Sequence, residues 1–491
     1  MEDMESGEEL NLASVKNRAV KGVVFLSGRM FLLQIIAFFG FFLLTVFLGK
    51  EEIGLFFAVS EIVAILGYFS DVGLAAALIQ SKEKPTTQEI RSTFTIQQAL
   101  VVSLLAIVLA LSPWLRNFYH IDQSGFFLLL SLLFGFFMSS LKTIPSVLLE
   151  RKLRFDLLVV VEIVETLLFY GIAVWLAWRG GGVASYAWAI LIRSLVGAVL
   201  ILMISPWRIG FAFEKKSLKR LLRFGVPFQA NTFLAVIKDR LMNIFLWKII
   251  GASGVGILGW AQKWAQMPLR FIMDSVMKVT FPAFARMQDH EQELGKAVEK
   301  TLFFVSLAVF PMLVGIGLLA KPLIFLLPQY SKWEVALVAL YFFLINSALG
   351  ALTTPLTNAL NAIGRIKVVF KLMIMWTVLT WVIYPFLAVK YSFNGVAVGA
   401  VIVSLSSILA IIIAKKYLKF NFWRAVLKPT LASIIMGAFL FLATWFLKIN
   451  LWRLVTLILA SGLFYFLLIY LMIGKQLLVD VKKLLYAFKN R

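Results

Sequence analysis

The sequence predicts an all-α, polytopic membrane protein with fourteen transmembrane helices. The 491-residue chain is 61% hydrophobic and 15% charged, and its mean hydropathy is +0.91. A soluble domain is instead about half apolar and about a quarter charged. Apolar segments of roughly 20 residues, the length that crosses the hydrocarbon core of a bilayer, recur from residue 22 to residue 473. Length, composition and recurrence together therefore indicate repeated membrane crossings.

The placement of basic residues predicts the topology of these crossings. The net charge is +23, which in a soluble protein would suggest binding to nucleic acid. Here most lysines and arginines fall in the loops of one side, together with both termini. The positive-inside rule then places both termini in the cytosol, as in a multi-pass protein of the cytoplasmic membrane. The basic excess predicts contact with anionic membrane lipids and argues against nucleic acid as a partner.

Several kinds of chemistry are not expected from this sequence. The chain has no cysteine, and its two histidines, His120 and His290, fall in predicted loops, so neither a metal centre nor another cofactor is predicted. No P-loop is present, and no large external loop offers paired carboxylates for glycosyl transfer. The sequence therefore favours a function other than catalysis.

Three aligned pairs of segments indicate an internal repeat. "FLGKEEIGLFFAVSEI" (47–62) aligns with "IIGASGVGILGWAQKW" (249–264). The residues matched by the three alignments are Gly49 with Gly251, Gly54 with Gly256, Pro145 with Pro355, and Gly182 with Gly395. Each copy holds six helices, and an even number preserves orientation, so we expect parallel repeats related by an axis along the membrane normal. Two such lobes would surround a central cleft.

The repeat predicts how the chain is organised, with a C-terminal hairpin that has no partner in the first copy. The predicted segments are a cytosolic tail (1–21), lobe 1 with helices 1–6 (22–205), a basic cytosolic linker (206–223), lobe 2 with helices 7–12 (224–414), a second basic cytosolic linker (415–428), an appended two-helix hairpin (429–473) and a basic cytosolic tail (474–491).

One long stretch resembles a known family. "DRLMNIFLWKIIGASGVGILGWAQKWAQMPLRFIMDSVMKVTFPAFARMQ" (239–288) is similar to the eighth-helix region of Wzx-type polysaccharide flippases, a branch of the multidrug/oligosaccharidyl-lipid/polysaccharide exporter superfamily. "FLGKEEIGLFFAVSEIVAILGYFSDVGLAAALIQ" (47–80) resembles the equivalent part of the first lobe, and the similarity extends over roughly residues 15–415.

The resemblance implies a substrate and a mechanism. It implies that a polyprenyl-pyrophosphate-linked oligosaccharide moves from the inner to the outer leaflet by alternating access of the two lobes, for the assembly of surface polysaccharide. A coupling ion and the polysaccharide polymerase machinery are the further partners that it suggests.

Ionisable residues inside predicted helices are the candidate functional residues, because burying a charge in a membrane is costly. On helix 8, Lys263, Arg270 and Asp274 follow helical spacing and form one stripe. The aligned helix 2 has Glu61 at the position of Lys263 and Asp71 close to that of Asp274. In the resembling family both helices border the cleft. The alternative is that Arg270 and Asp274 only pair with each other at a spacing of four residues.

The stretch Lys238-Asp239-Arg240 places three consecutive charges inside the apolar helix 7. Lys238 and Arg240 are two residues apart and so point roughly 200° apart around a helix. One of them is expected to pair with Asp239 within lobe 2, while the other faces the cleft. Lys238 is also predicted to lie at nearly the depth of Lys263. Several cations at one level suit a pyrophosphate, which needs several donors.

Arg193 is predicted near the middle of helix 6, at a depth close to that of Glu165 on helix 5. A structural ion pair between the two is one interpretation. A coupling role for Glu165, with a cation or a proton, is the other. Because Ser406 occupies the aligned position in the second lobe, neither site would be symmetric.

These considerations give two sets of candidate site residues. The cationic substrate-binding set is Arg29, Lys238, Arg240, Lys263 and Arg270. The set of cleft acids, some of which could serve ion coupling, is Glu61, Asp71, Glu165, Asp239 and Asp274. No catalytic residue is predicted.

Two other functions fit parts of the sequence. An ion-coupled multidrug exporter of the same superfamily would concentrate acids in the cleft, whereas the deep charges of this chain lean towards basic residues. A non-transporting scaffold for envelope assembly would have no use for deep cations. The sequence leaves open the identity of the sugar, the carrier lipid, the coupling ion and the oligomeric state.

Overall fold

The computed structural model describes residues 31–70, 73–80, 85–214, 236–447 and 450–474. Every regular element in these ranges is a helix, which confirms the all-α fold class. The first seven helices are α1 (Phe31–Phe47), α2 (Lys50–Phe69), α3 (Leu74–Gln80), α4 (Thr87–Tyr119), α5 (Gln123–Arg151), α6 (Phe155–Trp178) and α7 (Ala184–Ile204).

The second half of the chain begins with a π-helical turn, Ile237–Leu241, and contains a 3₁₀ segment, Pro328–Ala336. Its α-helices are α8 (Met242–Arg286), α9 (Glu291–Leu326), α10 (Leu337–Ala362), α11 (Ile366–Leu405), α12 (Ser407–Tyr417), α13 (Phe422–Phe446) and α14 (Leu451–Ile473).

Local sequence explains where several helices begin. Thr86 and Glu89 form a reciprocal capping box at the start of α4, in which each side chain accepts a hydrogen bond from the other residue's backbone N–H. The Asp122 side chain caps α5 by accepting from the Gly125 N–H at 2.7 Å. Asn450 caps α14 in the same manner. These caps satisfy backbone donors that would otherwise lack partners at the helix ends.

Two elements are too long to be single crossings. The 45 residues of α8 would extend about 68 Å at 1.5 Å per residue, more than twice a ~30 Å hydrocarbon core. The backbone breaks at Gly251, whose φ of 71° suits a residue without a side chain. The 40-residue α11 breaks likewise at Ser392, where φ is 53°. Each break divides its element into two helical parts.

Eleven helical elements among the described residues are long and apolar enough to span a membrane, and the shorter α1 is also apolar. The protein is therefore a multi-pass membrane protein. If each of the two broken elements crosses twice and α1 crosses once, the total equals fourteen. That number and the six-helix repeats stay predictions, as do the boundaries of the lobes and linkers.

The chain separates into two compact units. The first contains the residues up to 48 and residues 59–236, and the second contains residues 49–58 and the residues from 237 onwards. The division falls inside α2, whose first half belongs to the second unit.

Within the first unit, α7 packs against both α5 and α6. After α7 the chain runs without regular structure from 206 to 214 and lies along the start of α4. There the Ser92 and Thr95 hydroxyls accept hydrogen bonds from the Glu214 and Ala212 backbone N–H groups, at 3.0 and 3.1 Å. The beginning of the predicted linker is thus bound to the first unit.

Within the second unit, α9 is the central support of the C-terminal hairpin. Helix α13 packs along α9, and α14 packs on both of these helices. The Tyr465 hydroxyl of α14 donates a 2.9 Å hydrogen bond to the Leu307 carbonyl of α9, inside the cluster that includes Met436 and Leu440. The hairpin is therefore an integral part of this unit.

Two glycines allow α8 and the first half of α2 to touch backbone to backbone inside the second unit. A Cβ added at Gly54 would collide with the Ala252 carbonyl oxygen, and a Cβ added at Gly256 would collide with that of Lys50. The contact respects the sequence repeat, because Gly256 and Ala252 follow Gly54 and Lys50 by the same 202 residues. Residues that the alignment makes equivalent therefore meet each other.

We expect Gly54→Ala and Gly256→Ala each to destabilise the protein by about 1–3 kcal/mol, the usual effect of forcing a methyl group into a filled space. Gly67→Ala is the matched control on α2, because a Cβ at Gly67 would meet no atom within 4 Å. Thermal unfolding of the purified protein, followed by tryptophan fluorescence, measures the difference. Equal melting temperatures for all three variants would contradict the close crossing.

Candidate functional site

The predicted stripe of charges on α8 lies on an exposed face of that helix. Lys263, Arg270 and Asp274 are all exposed, whereas Trp260 and Ala265 on the same helix are buried. Lys263 and Arg270 lie within electrostatic range of each other, so two like charges share this face. Such an arrangement favours an anionic ligand near this part of the helix.

Arg270 does not use Asp274 as its partner. Its guanidinium donates a 3.0 Å hydrogen bond to the Gln266 side-chain oxygen one turn earlier, and no ion pair within 4 Å joins Arg270 to Asp274. The structure therefore does not support the alternative in which Arg270 and Asp274 only neutralise each other.

Behind the stripe, an aromatic group holds α8 in place. The Trp260 indole N–H donates a 3.0 Å hydrogen bond to the Tyr330 hydroxyl, and its ring stacks on Trp333 with 5.3 Å between centroids. Tyr330 and Trp333, both in the 3₁₀ segment, are almost completely buried. This packing fixes the rotation of α8 about its own axis, and hence the direction of the charged face.

The Lys-Asp-Arg stretch forms a π-helical turn instead of a regular α-helix. Turns of this kind are rare and occur often at functional sites. The Lys238 ammonium lies 3.4 Å from a carboxylate oxygen of Asp239, and Asp239 also lies within electrostatic range of Tyr384 on α11. Lys238 is therefore an ion-pair partner of Asp239. Arg240, on the other side of the turn, is half-buried.

The levels of the cations on the two sides of the Gly251 break are similar. Lys238 precedes Gly251 by 13 residues and Lys263 follows it by 12. At 1.5 Å per residue, both lie about 18–20 Å along the chain from the break. The match in depth between Lys238 and Lys263 stays a prediction, because this spacing is counted along the chain.

In the first unit, the partner of Glu165 differs from the expected one. The Glu165 carboxylate lies 2.5 Å from the Lys142 ammonium on α5, whereas the predicted structural pair was with Arg193 on α7. The carboxylate lies directly on the α7 backbone, since a Cβ at Gly197 would collide with it. At this position the Glu165 carboxylate is within ion-pair distance of Lys142. The correction follows from the rotation of α5 and α6, which depth along the sequence does not specify.

Arg193 instead lies over the Phe169 ring, with its guanidinium carbon 4.8 Å from the ring centre. Glu165 remains within electrostatic range of the guanidinium. Arg193 also lines a cavity of about 340 Å³ within the first unit, together with Gln34 and Tyr170. Sequence reasoning missed this cavity and the pairing role of Lys142. The sequence did contain one signal of this pairing, a similar depth. Lys142 lies nine residues before the end of α5 at Arg151, and Glu165 lies ten residues after the start of α6 at Phe155.

The remaining predicted site residues have few described contacts. Arg29 and Asp71 lie outside the described residues, and Glu61 is half-buried on α2. At the position aligned with Arg193, Ser406 accepts a 3.0 Å hydrogen bond from the Trp376 indole. Within the described ranges, no three side chains of His, Asp or Glu gather as a metal ion would require.

An all-helical chain with many apolar spans and two compact units defines the class of polytopic membrane proteins. A sequence profile described as "Polysaccharide biosynthesis protein" matches residues 43–337, which is more than half of the chain. The chain belongs to this family of polysaccharide biosynthesis proteins, and the resemblance to polysaccharide flippases is confirmed.

Three curated relatives are similar over about two thirds of this chain. The lipopolysaccharide biosynthesis protein WzxC of Escherichia coli K12 is 24% identical, over 68% of this chain and 67% of its own length. The teichuronic acid biosynthesis protein TuaB of Bacillus subtilis 168 is 23% identical, over 61% and 62%. The succinoglycan biosynthesis transport protein ExoT of Rhizobium meliloti 1021 is 23% identical, over 66% and 65%.

Solved structures share the fold. The lipid II flippase MurJ, in an inward closed conformation, superposes with a TM-score of 0.74 at 17% identity, over 93% of this chain and 100% of that one. An inward-facing multidrug resistance MATE family transporter of the MOP superfamily gives 0.57 at 18% identity, over 81% and 98%. At these identities the comparison establishes the fold alone.

Replacing Glu165 by Leu should lower the stability by roughly 2–3 kcal/mol, because it leaves the Lys142 charge without its carboxylate. The effect stays below that of a fully buried pair, since the two side chains are 17% and 18% exposed. Adding Lys142→Met should restore most of the loss, whereas adding Arg193→Leu should not. Thermal melts of the single and the two double variants decide between the partners. Rescue by Arg193→Leu alone would contradict the pairing.

Proposed function

We propose that this protein is a flippase for a polyprenyl-pyrophosphate-linked oligosaccharide. The substrate moves from the inner to the outer leaflet of the cytoplasmic membrane by alternating access of the two lobes, for surface polysaccharide assembly. Membership of the polysaccharide biosynthesis family establishes the biosynthetic setting. The observation that carries the proposal is the exposed pair of cations, Lys263 and Arg270, on one face of an apolar helix.

The electrostatics of the second unit supports an anionic head group as the bound part of the substrate. A charged side chain at depth in a membrane is costly unless it is paired, hydrated or bound to a ligand. Lys263 and Arg270 repel each other, and a pyrophosphate between them would convert this repulsion into attraction for both. Arg240 is proposed to extend the cationic path, with Arg270 towards its cytosolic entrance.

Different roles are proposed for the two cations of the π-helical turn. Lys238 lies 3.4 Å from the Asp239 carboxylate and is therefore proposed to be its structural counter-ion. Arg240 is two residues further along and points to the opposite side. It is the proposed contact with the substrate.

A second function, an ion-coupled multidrug exporter, is favoured by the superposition with a MATE family transporter. In that case ion coupling would depend on acidic residues, and the candidates are Glu61, Asp71, Asp239 and Asp274. A non-transporting scaffold is disfavoured by the deep cations. We propose transport without catalysis, with both termini in the cytosol and with a coupling ion, anionic lipids and the polymerase machinery as further partners.

Replacing Lys263 by Gln should leave the protein folded in the membrane but abolish at least nine tenths of its ability to restore surface polysaccharide in a strain without its own flippase. The expected reason is the loss of a cation that contacts pyrophosphate, because one lost charge-assisted contact is worth about 1.5–3 kcal/mol. Lys248→Gln is the matched control, since Lys248 is an exposed lysine of α8 only three residues before the Gly251 break. Polymer synthesis at the normal level in Lys263→Gln would refute the cationic contact.

The two neighbours of Asp239 should respond differently to the same change. Lys238→Gln should lower the melting temperature of the purified protein, because Asp239 loses its ion-pair partner. Arg240→Gln should lose complementation to a greater extent than Lys238→Gln does, because Arg240 is the proposed contact with the substrate. Melting and surface polysaccharide are measured for both variants in parallel. If both variants fold and transport normally, these charges serve internal packing and not the substrate.

A further inference from the structure

Arg193 lines an open cavity of the first unit. The cavity has a volume of about 340 Å³ and lies among α1, α6 and α7. Its polar lining consists of Gln34 from α1, Thr166 and Tyr170 from α6, and Arg193 from α7. This volume is at the lower end of the range for small-molecule sites, and a few convergent polar groups among apolar walls are typical of such sites.

The depth of Arg193 makes its charge significant. Arg193 is nine residues from the start of α7 and eleven from its end, so the guanidinium is attached about 14 Å from one end of a membrane helix. A guanidinium stays protonated at any physiological pH, so burial does not remove its charge. The Arg193 residue keeps exposed surface and is one of those that line the cavity.

The nearby carboxylate is already bound to another cation. Glu165 forms its 2.5 Å ion pair with Lys142, while Arg193 lies over the Phe169 ring. Two cations therefore share one carboxylate within this group of three charges. Glu162, one turn away on α6, does not line the cavity. A cation–π contact is attractive, but it leaves the hydrogen-bonding edge of a guanidinium available for a ligand.

Neighbouring groups are positioned for a ligand that also carries hydroxyl groups. The Tyr170 ring lies on the α1 backbone, because a Cβ at Gly40 would collide with it, and this contact holds the ring beside the cavity. The Tyr170 hydroxyl lies within electrostatic range of Arg193. The Thr166 hydroxyl donates to the Glu162 carbonyl at 2.7 Å, which leaves its oxygen able to accept a hydrogen bond.

We propose that this cavity binds the oxoanion of a charged sugar, either a carboxylate or a phosphate ester. The two oxygens of such a group match the planar fork of Arg193, and Gln34, Thr166 and Tyr170 bind the neighbouring sugar hydroxyls. The assignment of a sugar rests on the proposed function, whereas the assignment of an oxoanion rests on the cavity. The predicted repeat aligns Arg193 with Ser406, which carries no charge, so the repeat predicts no equivalent site in the second unit.

The test is ligand-dependent thermal stabilisation of the purified full-length protein. The probes are glucuronate, glucose 1-phosphate, inorganic phosphate and the neutral sugar glucose, at matched ionic strength. A ligand at a large excess over its dissociation constant should raise the melting temperature by about 2–5 °C, in a saturable manner. Glucuronate, glucose 1-phosphate or both should do so, and glucose should not. The more effective of the two identifies the oxoanion as a carboxylate or as a phosphate.

Two variants and one control make the test specific. Arg193→Gln should abolish the stabilisation, and Ala37→Phe should also abolish it by filling the cavity while every charge is kept. Arg179→Gln removes the same charge from an arginine that lies over the Trp175 and Trp178 rings and does not line the cavity, so its stabilisation should persist. If Arg193→Gln fails to fold, Ala37→Phe alone decides.

The proposal is overturned if no charged sugar stabilises the wild-type protein more than glucose does. It is also overturned if stabilisation survives in both Arg193→Gln and Ala37→Phe. Stabilisation by inorganic phosphate that is equal in wild type and variants indicates non-specific binding and counts against the site. The result is independent of transport: normal complementation without binding rejects this cavity alone, and binding without complementation rejects the flippase function alone.

Discussion

The cost of holding a charge inside an apolar helix is the constraint on which the other features depend. A charged side chain far from either end of a membrane helix needs a counter-ion, water or a ligand. In the first unit, Lys142 and Glu165 form an ion pair at 2.5 Å. The carboxylate occupies the space where a side chain at Gly197 would otherwise lie. In the second unit, Lys238 and Asp239 form an ion pair at 3.4 Å, within a π-helical turn. Lys263 and Arg270 instead place two like charges on one exposed face of α8, where an anionic ligand would be attracted to both.

The rotation of each helix about its own axis decides which charges form ion pairs and which lie on an exposed face. Trp260 is fixed by its hydrogen bond to Tyr330 and by stacking on Trp333, and that packing directs Lys263 and Arg270 to the exposed face of α8. The glycine contact between α8 and the first half of α2 provides a second restraint, because it brings two backbones together without side chains between them. The apolar packing and the placement of charge are thus parts of the same arrangement.

Much of the fold could be predicted from the sequence, because hydropathy and helix length depend mainly on local composition. The all-helical class and the many spans follow from those properties. The partner of Glu165 could not be predicted in this way. Lys142 and Arg193 both lie near its depth, and only the rotation of three packed helices distinguishes them. The π-helical turn was equally hidden, since Lys-Asp-Arg fits an α-helix as well. The cavity around Arg193 likewise required coordinates, because its lining combines α1 with α6 and α7, which lie much later in the chain.

The central claim is that the protein moves a lipid-linked oligosaccharide across a bilayer. Its most direct test uses vesicles that contain the purified chain and a polyprenyl-pyrophosphate oligosaccharide with a labelled sugar in both leaflets. The quantity measured is the share of label that an impermeant sugar-modifying enzyme can reach from outside over time. The account predicts that this share rises from the outer-leaflet portion to nearly all of the label. Protein-free vesicles should stay at the outer-leaflet portion. If vesicles with the protein behave like protein-free vesicles, both with and without an imposed ion gradient, the account is contradicted.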